Sequence, residues 1–87
     1  MYMKESRSLL RKVKNQRLWC LKHSKSYIDP TWAKNEIKNI EAALSTIKTT
    51  SQMKSYLIRK QPVIDSLMPG KNSKNHKKLQ KLINLPC

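Results

Sequence analysis

Apolar side chains recur along this chain at three- and four-residue spacing, the period of an amphipathic helix. Leu9, Leu10, Val13, Cys20 and Leu21 share one side of a helix predicted over residues 3–26. A second helix is predicted to start at Asp29–Pro30. Aspartate suits the N-cap, and proline suits the first helical position, where its missing N–H is no loss. Its apolar face runs from Trp32 through Ile37 and Ile40 to Ile47. After a turn and cap at Thr49–Ser51, Met53, Tyr56, Leu57, Val63, Ile64, Leu67 and Met68 hold one helical phase through Pro62. Continuity of phase predicts one kinked helix and not two. Pro69–Gly70 ends it. A last helix is predicted from Ser73 or Asn75 to about Asn84, with Leu79, Leu82 and Ile83 on one side. No apolar/polar alternation is long enough for a strand.

These elements predict an all-α fold, a small bundle of three to four helices with basic first and last helices. Residues 1–87 are expected to form a single domain. Residues 71–87 are expected as a mobile or loosely docked C-terminal helix, because about ten residues do not hold a helix alone in water. Two polar residues interrupt the apolar faces: Arg17 in the first helix and Glu36 in the second. A buried carboxylate needs a partner, so an Arg17–Glu36 pair across the helix interface is expected.

Charge changes the picture most. The 87 residues include 19 Lys or Arg against 5 Asp or Glu, for a net charge of +14. It is concentrated at the ends: +7 over residues 1–25, +2 over 26–70 and +5 over 71–87. On the first helix Lys4, Arg7, Arg11, Lys14, Lys22 and Lys25 fall within an arc of about 80°, with Leu18 in its middle. The stripe is about 30 Å long at 1.5 Å per residue. It mixes in no acid, so it repels itself unless a partner offsets the charge. The last helix repeats the design, with Lys74, Lys77, Lys78 and Lys81 on one side. Trp19 flanks the first stripe, in the position of an aromatic that stacks on an unpaired base.

Other chemistry is sparse. Asp29, Glu36, Glu41 and Asp65 are scattered singly, the only glycine is Gly70, and His23–Ser24 has no neighbouring acid. No catalytic set and no cofactor site are assigned. Cys20, His23, His76 and Cys87 lack the paired ligand spacing of a zinc site, so no metal is assigned either. No apolar run approaches 20 residues, and the charged N-terminus does not suit a secretory signal. Two cysteines are too few for a disulfide scaffold, so a reducing, cytoplasmic setting is expected.

The expected function is therefore non-catalytic nucleic-acid binding through phosphate contacts. RNA stands ahead of DNA, because residues 47–64 lack the glycine turn of a helix-turn-helix and carry few base-reading side chains. Lys outnumbers Arg 15 to 4, which favours point-charge phosphate contacts over bidentate base reading. Lys, Asn and Ile usage suits an AT-rich genome, as in many phages. The alternative is a small phage- or plasmid-type inhibitor, antitoxin or anti-defence factor that binds an acidic protein or a toxin/ribonuclease target, directly or through bridging RNA. A basic amphipathic membrane-surface binder is a third reading, against which the proline-punctuated middle weighs. A homodimer is expected, since the core is small.

Overall fold

The computed structural model describes residues 2–23, 28–68 and 74–85, which form four helices and, among the described residues, no strand. They are α1 (Tyr2–Lys22), α2 (Pro30–Thr46), α3 (Thr50–Leu67) and α4 (Lys74–Asn84). α1 is the hub of the bundle: it packs on each of the other three, and α3 also packs on α4. Its 21 residues extend about 31 Å at 1.5 Å per residue, most of the 38 Å long axis. Leu9, Leu10 and Val13 of α1 meet Ile40 of α2, Met53, Leu57 and Ile64 of α3, and Leu79 and Leu82 of α4 in one core.

Local chemistry sets the helix starts. The Asp29 carboxylate accepts the Thr31 N–H at 3.1 Å, with Pro30 opening α2. Thr49 caps α3 through a capping box: its hydroxyl accepts the Gln52 N–H, and the Gln52 side chain accepts the Thr49 N–H. Pro62 lies inside α3, which runs on as a single helix to Leu67. α4 is docked: Leu79 and Leu82 are 0% and 1% exposed. Burying each contributes about 1.5–3 kcal/mol, which offsets the weak intrinsic stability of an 11-residue helix.

The helix C-termini are closed in a less usual way. Ile47 and Met68, the C-caps of α2 and α3, are extended at φ −75° and −83°, where many helices use a left-handed glycine. Neither helix has a basic residue in its own last turn. Side chains from neighbouring helices supply the donors instead. Arg7 of α1 donates to the carbonyls of Leu44 at 2.6 Å and Ile47 at 3.4 Å. Arg17 of α1 donates through Nε to the Leu67 carbonyl at 2.7 Å. At the end of α4, Tyr2 donates to the Leu82 carbonyl at 2.9 Å and Lys54 donates to that of Leu85. Positive charge there also complements the negative end of the helix dipole.

This arrangement corrects the expected Arg17–Glu36 pair. Arg17 is buried, as its place among apolar residues requires, at 4% exposure. The carbonyl it meets belongs to α3. Glu36 is half-buried and accepts from Asn39 at 3.5 Å on its own helix; no ion pair joins it to Arg17 among the described residues.

Candidate nucleic-acid interface

The basic residues of α1 divide according to which flank of the helix a neighbour covers. Positions 6, 9, 10, 13, 17 and 20 are buried, so the face centred between Lys4 and Arg11 points away from the bundle. Lys4, Arg11 and Lys22 are exposed there and Lys14 is half-buried. Arg7 stands within the same arc, next to Lys14, but turns toward α2, where its guanidinium holds the helix end. Its charge is thereby tied to two carbonyls. Lys25 lies outside the described residues.

α4 presents Lys74, Lys77 and Lys81 to solvent, opposite Leu79 and Leu82. Lys78 is half-buried and lines a groove of about 350 Å³ with Lys4, Glu5 and Ser8 of α1. The groove brings the two basic helices together at one place, with a single acid, Glu5, in its lining. Asn75 donates to Gln16 at 3.1 Å across the same helix pair. The α1 face and the α4 lysines thus adjoin along the α1–α4 seam. Among the described residues, no ion pair joins any of the five carboxylates to a basic side chain.

Trp19 is 52% exposed beside this face, and its ring lies 4.3 Å from that of His23, tilted by 39°. Leu18 is 43% exposed within the stripe. Cys20, in contrast, is a buried free thiol on the core side. No group of three or more His, Cys, Asp and Glu is placed to hold a metal ion among the described residues. No helix among them is long and apolar enough to cross a membrane.

The helical wheel marks Arg17 as inward-facing and Arg7 as part of the stripe, but it gives the acceptor of neither. Arg7 and Arg17 act on the ends of other helices, and no side-chain pattern within α1 marks them for it. The available signal was the near absence of glycine, which leaves the helix C-termini to be closed by something else. No family model, no curated protein and no solved structure matches the chain.

Proposed function

We propose that this chain is a non-catalytic nucleic-acid-binding protein that holds RNA by its phosphates. The surface runs along the outer face of α1, through Lys4, Arg11, Lys14 and Lys22, and continues onto Lys74, Lys77, Lys78 and Lys81 of α4. The observation that carries the reading is single-sign charge without internal compensation: exposed cations on two adjoining helices, and no ion pair to any carboxylate among the described residues. Like charges so arranged destabilise the free protein, and a polyanion relieves them by counterion release. Single-stranded RNA is favoured over duplex DNA because Trp19, half-exposed at the edge of the cations, offers an unpaired base a stacking surface. Arg7 is left out of the contact set, since its guanidinium serves the end of α2.

A second reading draws on Leu18 and Trp19, neighbouring exposed apolar residues within and beside the basic face. They suit an acidic protein surface with an apolar centre, as an inhibitor or antitoxin would need. Co-purification with and without ribonuclease separates the two: a partner that survives the nuclease is a protein.

The decisive test is the triple variant Lys4→Glu, Arg11→Glu and Lys22→Glu, read by fluorescence anisotropy with single-stranded RNA over a salt series. Affinity is expected to fall on the order of a hundredfold, and the log–log salt slope to become shallower by about 2, at about 0.7 per lost phosphate contact. Helicity by circular dichroism is expected to stay the same. A variant that bound RNA with the original affinity and slope would overturn the assignment.

A further inference from the structure

The junction of α2 and α3 carries donor chemistry that the α1 and α4 cations do not use. A cleft of about 470 Å³ opens there, lined on the α3 side by Ser51, Ser55, Tyr56 and Arg59. Ser51, Ser55 and Arg59 are spaced i, i+4, i+8, so they stack along one helix face. Side chains lean toward the helix N-terminus, so Arg59 leans toward Ser55, one turn before it. Ser51 lies in the first turn of α3, where Thr49 accepts the N–H groups of Gln52 and Met53. The N–H groups of Thr50 and Ser51 take no partner within the helix.

Tyr56 is the second and independent sign of a ligand. Its side chain is 6% exposed, lines the cleft, and its phenol makes no hydrogen bond among the described residues. Its ring is covered, while its hydroxyl keeps contact with solvent at the cleft. Burial, with the nearby Glu36 carboxylate adding to it and Arg59 opposing it, raises the phenol above its ordinary value of 10.0. It therefore stays protonated and available as a donor. The cleft lining holds one charge, Arg59, and no carboxylate.

From this grouping of a guanidinium, three hydroxyls and the first-turn residue Ser51 in one cleft lining, we infer that the cleft binds a phosphate monoester group. A tetrahedral oxyanion presents acceptors in several directions at once, which matches donors from the helix end, its flank and the phenol. A planar carboxylate would use only part of the set. The site is independent of the α1–α4 surface and stands or falls separately from it.

The test is a titration of the full chain with inorganic phosphate, followed by amide chemical shifts. Saturable shifts confined to residues 50–59 are expected. Arg59→Gln, at an exposed position, is expected to weaken binding about tenfold or more. Tyr56→Phe keeps the ring packing and should weaken it about threefold, the loss of one neutral hydrogen bond. Arg11→Gln should leave it unchanged. Parallel titrations identify the source of the phosphate. Tighter binding of adenosine monophosphate than of inorganic phosphate points to a free nucleotide. Tighter binding of a 5′-phosphorylated oligoribonucleotide than of its 5′-hydroxyl twin points to an RNA end. Shifts that do not saturate, that spread over the lysines of α1 and α4, or that survive both Arg59→Gln and Tyr56→Phe would overturn the inference.

Discussion

Arg7 and Arg11 stand one helical turn apart on α1; Arg11 is exposed, whereas Arg7 is half-buried against the end of α2. Arg11 belongs to an outer face that, among the described residues, stays exposed, together with Lys4 and Lys22. Arg7, like Arg17, belongs to the seam where α1 crosses the ends of α2 and α3, and both guanidiniums donate to terminal carbonyls there. The same residue type thus does opposite things within a few ångströms along one helix. On the seam a cation replaces the missing glycine cap and lowers the free energy of the isolated protein. On the outer face it raises that free energy by repulsion and becomes useful only when an anion arrives. Net charge alone hides this division, because +14 counts both populations alike.

The largest stability effect is expected at Arg17. Truncation by Arg17→Ala removes a charged hydrogen bond to the Leu67 carbonyl and the packing of a side chain only 4% exposed. The sum is about 3 kcal/mol, to be read from urea denaturation followed by circular dichroism. A loss below about 1 kcal/mol would mean that the end of α3 is held by something else, and the seam would lose its strongest member. Smaller and sharper is the contrast between the two neighbours. Arg7→Ala is expected to destabilise by about 1–2 kcal/mol, since its bonds are only partly buried. Arg11→Ala should stay within about 0.5 kcal/mol. RNA binding should reverse the ranking, with Arg11→Ala reducing the salt slope and Arg7→Ala leaving it alone. If both variants behaved alike in both measurements, the division between seam and face would not exist.

Much of the fold was legible because its signals are local. Asp29–Pro30 and Thr49 through Gln52 specify helix starts by chemistry within four residues, and the phase through Pro62 marks α3 as one helix. The first helix runs from Tyr2 to Lys22, against the predicted 3–26, of which residues 24–26 lie outside the described residues. That Leu79 and Leu82 share one side of α4 followed from its periodicity, but their full burial did not, since periodicity places a side chain on a face and does not say that the face is docked. What could not be read was the partner of Arg17. Side-chain complementarity pointed to Glu36, whereas the acceptor is a backbone carbonyl, which every residue carries and no pattern marks. Arg7 escaped for a related reason: a helical wheel gives the angle of a side chain but not the side on which a neighbouring helix crosses. The candidate surface was legible as a stripe and a second patch. That Lys78 meets Lys4 in one groove is a property of how α4 docks.

The smallest expected effect separates the seam's bonds from polar burial as such. Ser6 is fully buried on the same side of α1, and its hydroxyl has no hydrogen-bond partner. A serine inside a helix can bond back to the carbonyl four residues earlier, but Ser6 does not. An unsatisfied buried hydroxyl is destabilising, and alanine is the better helix former. Ser6→Ala should therefore raise stability, by about 1 kcal/mol at most, with RNA affinity unchanged. Arginine at 7 or 17 and serine at 6 are all polar groups on the covered side of one helix. If stability there came from burying polar atoms in general, all three truncations would weaken the protein. If it comes from closing helix ends, the two arginines lose and the serine gains, so the sign of the Ser6→Ala change decides which of the two physical accounts holds.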